Sequence, residues 1–277
     1  MSTSKKTYKD LSIPFFKEVF DIIDEIMVCH KVPYYLIGAS AVALQILNED
    51  RHPPRGTKDI DFAIMISSLE EFKEITKSFE EKGFNKVKAP WTFYSEAYNI
   101  AIDVLPFGEI EQNDTIQFNE RSVDLHMLGF KEVLENPKEV IIEDKIANVP
   151  ALPGMVVLKL VSWSDRPEER ENDLADILKI IETYYHIQWD EIVENHFDTF
   201  PEDEELDQLM IAAEVLGREA KVYMVKSKKL SSRINDILDS NLKTASDSAI
   251  AKDWAVKLNR DVEYTFSILK AFKRGIR

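Results

Sequence analysis

Apolar residues recur at helical spacing from Pro14 to His30, where Phe16, Val19, Phe20, Ile23, Ile26 and Met27 form one stripe between charged positions. Tyr34 to Ile37 is a short apolar run closed by Gly38, which predicts a buried strand, and Ser40 to Leu47 is rich in good helix formers. NEDRHPPRGT reads as a loop by its prolines and glycine. From Asp59 the period changes to two: Ile60, Phe62, Ile64 and Ile66 take one face of a strand and leave Asp59 and Asp61 on the other. A helix follows over Leu69 to Lys82, with Gly83 placed to cap its end. Strands are predicted over Phe84–Lys88, Trp91–Tyr98, Asn99–Leu105, Val123–Leu128 and Val140–Val149. In Asn99–Leu105 the apolar face is Ile100, Ile102 and Val104, with Asp103 opposite.

Beyond Pro153 strand signals nearly vanish. Met155–Trp163, Asn172–Tyr185, Glu204–Val225 and Ile250–Phe272 carry helical periodicity. The expected fold is α+β: a mixed sheet flanked by helices over 1–150, followed by an α-helical domain over 151–277. There is no internal repeat and no low-complexity tract.

Composition narrows the function classes. With 277 residues, 44% hydrophobic and 10% aromatic, the chain supports a substantial core. A formal net charge of −15 makes a long nucleic-acid duplex a poor default partner, so phosphate binding requires a local basic patch. Arg51, His52, Arg55 and Lys58 form the best such cluster, readable as phosphate contacts or as a solvated loop. Lys226, Lys228 and Lys229 read as a solvated helix end. The single cysteine, Cys29, excludes an intramolecular disulfide, fits a reducing compartment, and is expected to pack as a small apolar group. The N-terminus carries no uninterrupted apolar segment of signal-peptide length, and no run approaches about 18 apolar residues. A soluble, cytoplasmic protein with no membrane partner is expected. The five histidines lack metal-ligand spacing, and neither a Ser/His/Asp hydrolase elbow nor a P-loop ending in Gly-Lys-Ser/Thr is present.

The chemistry-bearing pattern is the set of carboxylates. Strand residues i and i+2 lie roughly 7 Å apart at the Cα, so Asp59 and Asp61 can lean together, and Asp103 can join them from a second strand. Three such acids, with phosphate oxygens, suit magnesium, which takes oxygen ligands; manganese fits the same donors. Paired ions about 3.5–4 Å apart polarise a phosphate and activate an attacking hydroxyl. In that arrangement Asp103 is placed as a general base or as a ligand of the metal that activates the nucleophile. The second element is LIGASAVAL, Leu36 to Leu44, a strand turning through Gly38-Ala39-Ser40 into a helix. Free backbone N–H groups at such a helix start cradle phosphate, and Ser40 adds a hydroxyl.

GASAVAL, then RGTKDIDFAI, then AIDVLPFG, in that order, resembles the DNA polymerase β-type nucleotidyltransferase superfamily, and within it the AbiEii/AbiGii toxin-like nucleotidyltransferases. The resemblance extends into Leu152 to Ile180 and so covers about residues 34–180. It implies the nucleotidyltransferase fold, with Gly38 and Ser40 in the phosphate-binding turn and Asp59, Asp61 and Asp103 as the catalytic, metal-binding carboxylates. It also implies that Lys159 contacts the nucleotide triphosphate and that Asp176 is an acidic nucleotide-site position, with Arg166 and Arg170 nearby. The chain departs from the family at Ala39, where Gly or Ser is usual.

The expected activity is metal-dependent transfer of a nucleoside monophosphate from an NTP to an acceptor hydroxyl, on a small molecule, a protein or an RNA end such as that of tRNA. The resemblance also implies the toxin of a toxin–antitoxin pair and hence an antitoxin partner. The alternative is a non-catalytic nucleotide-binding or partner-binding protein that keeps the fold. Plainer readings stand beside these. Taken without Asp103 and the Gly38 turn, Asp59 and Asp61 read as solvated acids entering an edge strand. Lys159 reads as a snorkelling lysine. Asp173 and Asp176 read as helix-surface acids paired with Arg170 and Lys179.

Overall fold

The computed structural model describes residues 11–49, 51, 59–87, 89–118, 123–143, 145–202 and 205–277. His52, Arg55 and Lys58 of the predicted basic loop, and the glycine and prolines beside them, lie outside the described residues. The chain divides into two compact units, Met1–Ala151 and Leu152–Arg277.

The first unit is built on α1 (Phe16–His30), β1 (Tyr34–Ile37), α2 (Gly38–Asn48), β2 (Asp59–Ile66) and α3 (Leu69–Glu81). There follow β3 (Asn85–Lys86), β4 (Thr92–Ser95) and β5 (Ile100–Gly108). Five strands form one sheet in the order β1-β2-β5-β4-β3. Only β2 and β5 run parallel; the other neighbours are antiparallel, so the sheet is mixed. The apolar face predicted for β2 is the core face: Ile60, Phe62 and Ile64 are fully buried and Ile66 nearly so. Ile100, Ile102 and Val104 do the same for β5. Helix α1 buries the predicted stripe, all six residues of it, in the same cluster. Cys29 falls off that stripe and is exposed, contrary to the expectation that it packs as an apolar group.

Two hairpins and a short helix complete the unit. β6 (Thr115–Phe118) pairs with β7 (Val123–His126), α4 spans Phe130–Leu134, and β8 (Lys138–Ile142) pairs with β9 (Lys145–Val149). The expected single strand over Val140–Val149 is thus two strands that double back beside Glu143, which stands at φ 54°. The expected strand over Trp91–Tyr98 stops at Ser95, because residues 96–99 turn and Asn99 takes a left-handed conformation, φ 51°. Gln45, buried on α2, donates from Nε2 to the Pro150 carbonyl at 3.0 Å and ties the end of the unit back to its centre.

The second unit is helical: α5 (Leu152–Asp165), α6 (Glu171–Ile187), α7 (Trp189–Asn195), α8 (Gln208–Lys226), α9 (Lys228–Asn241), α10 (Ala249–Leu258) and α11 (Val262–Ile276). Helix α8 starts where the Asp207 carboxylate accepts from the backbone N–H of Leu209 and Met210. Gly217 on α8 and Gly275 on α11 let these two helices touch: a Cβ on Gly217 would lie 3.1 Å from the Gly275 Cα. The predicted helix Ile250–Phe272 is in fact α10 and α11, separated where Asn259 turns left-handed at φ 51° and Asp261 caps the next helix through Tyr264 N–H. Of the lysines read as a helix end, Lys226 closes α8, and Lys228 and Lys229 open α9, which Ser227 caps. No described helix is long and apolar enough to cross a membrane.

Candidate active site

Pairing in the sheet decides where the three aspartates go. β2 and β5 run parallel in a register that sets Asp61 opposite Asp103, with Asp59 opposite Ala101. Side chains paired across a ladder point to the same face, and neighbouring strands lie about 4.8 Å apart. Asp61 and Asp103 therefore rise side by side, and Asp59 stands on the same face one pleat earlier. Their apolar neighbours in sequence, Ile60, Phe62, Ile102 and Val104, point the other way and are fully buried. Asp59 is exposed, whereas Asp61 and Asp103 are half-buried.

The glycine turn meets this face from the other side. β1 pairs antiparallel with β2, setting Ile37 opposite Asp61, so Gly38 leaves β1 directly beside that carboxylate. Gly38 adopts φ 68°, and a Cβ there would overlap Asp61 Oδ2 and come within 2.8 Å of Asp61 Cγ. Both the backbone conformation and the space require glycine. Ala39 stands outside the left-handed region, inside α2, where alanine is the best of helix formers. Alanine at 39 is therefore compatible with the helix that follows the turn. Ile37 occupies the cap position of α2, and its apolar side chain supplies no capping hydrogen bond. Ser40 is fully buried and its hydroxyl donates to the Ile37 carbonyl at 3.1 Å, which commits its proton to closing the turn.

The donor set is all carboxylate oxygen, the chemistry that magnesium or manganese takes, and the missing Cβ at Gly38 leaves room for the Asp61 carboxylate beside the turn. Among the described residues, no three His, Cys, Asp or Glu side chains are gathered as a finished ligand set. Asp61 and Asp103 share a register, and Asp59 shares their face. The residues fit a hard divalent cation by chemistry.

Lys159 and Asp176 lie in the helical unit and find each other. Lys159 on α5 is 5% exposed, and its Nζ donates to Asp173 Oδ1 at 3.0 Å and to Asp176 Oδ2 at 2.7 Å, both on α6. Burial alone would push the ammonium down; the two carboxylates more than reverse it, and the net shift is upward. Asp173 and Asp176 are buried, not the surface partners of Arg170 and Lys179 that helical spacing suggested; Lys179 pairs instead with Glu182. Asp173 Oδ2 is buried with no hydrogen-bond partner. Helical spacing within α6 finds the two aspartates on one face, but nothing in the sequence announces that α5 brings a lysine to them.

No family model and no curated protein matches the chain. Among solved structures it is similar to the antibiotic-resistance factor ANT(2'')-Ia in solution, with 14% identity and a TM-score of 0.42 over 79% of this chain and 93% of that one. ANT(2'')-Ia in complex with adenylyl-2''-tobramycin gives 14% identity and a TM-score of 0.41, covering 78% of this chain and 97% of that one. An antigenic nucleotidyltransferase-like protein from Paracoccidioides brasiliensis gives 14% identity and a TM-score of 0.39 over 83% and 94%.

Proposed function

We propose that this protein is a metal-dependent nucleotidyltransferase, moving a nucleoside monophosphate from an NTP to an acceptor hydroxyl with release of pyrophosphate. The observation that carries the reading is the register of β2 against β5, with Asp61 opposite Asp103, Asp59 on the same face, and Gly38 against Asp61. In this reading Asp59, Asp61 and Asp103 hold magnesium or manganese. Such an ion, when bound, polarises the α-phosphate and lowers the pKa of the attacking hydroxyl. The Gly38 turn and the start of α2 orient the triphosphate. The acceptor oxygen bonds to the α-phosphorus, the bond to the bridging oxygen breaks to release pyrophosphate, and the hydroxyl proton passes to Asp103 as general base or, where Asp103 holds the ion that activates the hydroxyl, to solvent. Lys159 and Asp176 join this reading on the family resemblance alone. So does a role as the toxin of a toxin–antitoxin pair. The net charge of −15 favours a small-molecule or protein acceptor over a long nucleic acid, with an RNA end such as that of tRNA as the remaining candidate.

A second reading, a nucleotide-binding or partner-binding protein without turnover, is favoured by one observation. The Ser40 hydroxyl proton is used inside the turn. Incubation with Mg²⁺, labelled NTPs and a panel of acceptors separates the two. Pyrophosphate release that falls by about 10³ in Asp61→Asn supports transfer. NTP bound without turnover across the whole panel supports the second reading. Growth arrest on induction, relieved by Asp59→Ala, would mark a toxin.

A further inference from the structure

The short helix α7 and the turn after it display aromatic side chains that the helical unit does not cover. Trp189 is 45% exposed and Phe197 is 66% exposed, whereas the other tryptophans, Trp91, Trp163 and Trp254, are buried. The rings are in contact with one another. Tyr185 meets Trp189 edge-on at 5.3 Å between centroids, Trp189 meets Phe200 at 6.3 Å, and Phe200 stacks on Phe197 at 5.2 Å. Val193, one turn beyond Trp189 on α7, extends the same face and is 36% exposed. This surface is held in place. Arg218 on α8 donates from both terminal nitrogens to Asp198 at 2.7 Å, fixing the turn that carries Phe197. Presenting large rings on a pinned backbone lowers the ordering cost that a partner must overcome. Exposed, clustered aromatics of this kind are what binding hot spots are made of.

The charge around the rings identifies what would cover them. Asp190, Glu191 and Glu194 alternate with the apolar residues on α7, and all three are exposed. An acidic rim around an aromatic face repels phosphates and anionic lipid, and attracts lysine and arginine. Arginine suits both parts, since a guanidinium stacks on rings while it pairs with carboxylates. We propose that the Trp189–Phe197 surface docks a cationic protein segment, one in which an apolar anchor residue is flanked by lysine or arginine. This rests on the helical unit alone and is independent of whether the aspartate face transfers nucleotides.

Trp189 supplies the test, because it is the most exposed tryptophan of the chain and should dominate quenching by acrylamide. The full chain is titrated with a 14-residue Lys/Leu amphipathic peptide, with a Glu/Leu peptide of the same apolar pattern, and with a 20-nucleotide single-stranded RNA. The expected result is a blue shift and protection from acrylamide with the Lys/Leu peptide only. Phe197→Ala should weaken that binding by about tenfold, and Glu194→Gln by a few-fold, whereas Glu96→Gln in the other unit leaves it unchanged. Both α7-region variants sit at exposed positions, and far-UV circular dichroism checks that they fold. Equal binding of the Glu/Leu peptide, preference for the RNA, or affinity for the Lys/Leu peptide indifferent to Phe197→Ala would overturn the proposal.

Discussion

A side chain at position 38 would stand where the Asp61 carboxylate already is, and it would have to do so at φ 68°. Gly38→Ala combines left-handed strain with that overlap, so we expect a loss of about 1–3 kcal/mol, read as a fall of several degrees in Tm. A variant melting with the wild type would mean that the turn and Asp61 are not in contact. Lys159 makes the opposite case, a buried charge held by two others. Lys159→Met leaves Asp173 and Asp176 buried without their cation, at a cost of about 3–5 kcal/mol. Adding Asp173→Asn and Asp176→Asn should return part of that stability, because the uncompensated charge is then gone. No loss in the single variant would contradict the triad. These two residues show what a sequence displays and what it hides. Period-two alternation put Asp59, Asp61 and Asp103 on polar faces because strand geometry is local. The meeting of Lys159 with Asp173 is tertiary, formed by two helices packing, so local spacing offered Arg170 and Lys179 in its place.

Among the elements, those with long, strongly periodic faces were readable, and the errors cluster where a turn is made by residues other than glycine or proline. Glu143 and Asn259 take left-handed conformations that break what the pattern joined, and Asn99, also left-handed, belongs to the turn that ends β4 early. Asp207 and Tyr264 show how such pieces are then fastened together. One Asp207 oxygen caps α8, and the other accepts from the Tyr264 hydroxyl on α11 at 2.9 Å. Burial first, then this carboxylate, pushes the Tyr264 hydroxyl from its ordinary 10.0 up to about 12. The fold thus favours the neutral phenol. Its contribution is intact below pH 10.0 and is lost as pH climbs through about 12. Thermal melts of wild type and Tyr264→Phe at about pH 9 and about pH 11.5 should converge as pH rises, the variant being the less sensitive. A parallel decline in both would remove Tyr264 from the account. Asp24 responds at the acid end: burial raises its carboxyl, but hydrogen bonds from Lys145 and Tyr34 outweigh that and hold it below 3.8. The stability it lends is present at neutral pH and disappears as pH falls below that value.

At the scale of the whole molecule, a chain of net charge −15 brings three aspartates onto one sheet face, where without a cation they repel one another. Alternation along the strands gave each aspartate its face, but register did not follow from it, because nothing local says that Asp61 lies opposite Asp103. That pairing is what turns three acids into one candidate site. The direct test is to titrate the protein with Mn²⁺ in the presence of a non-hydrolysable NTP and follow free manganese by electron paramagnetic resonance. Wild type should take up Mn²⁺ with the nucleotide, and Asp61→Asn or Asp103→Asn should weaken uptake by about 10–100-fold while the melting curve is kept. Uptake unchanged in both variants would mean that the aspartate face is not where metal and nucleotide bind.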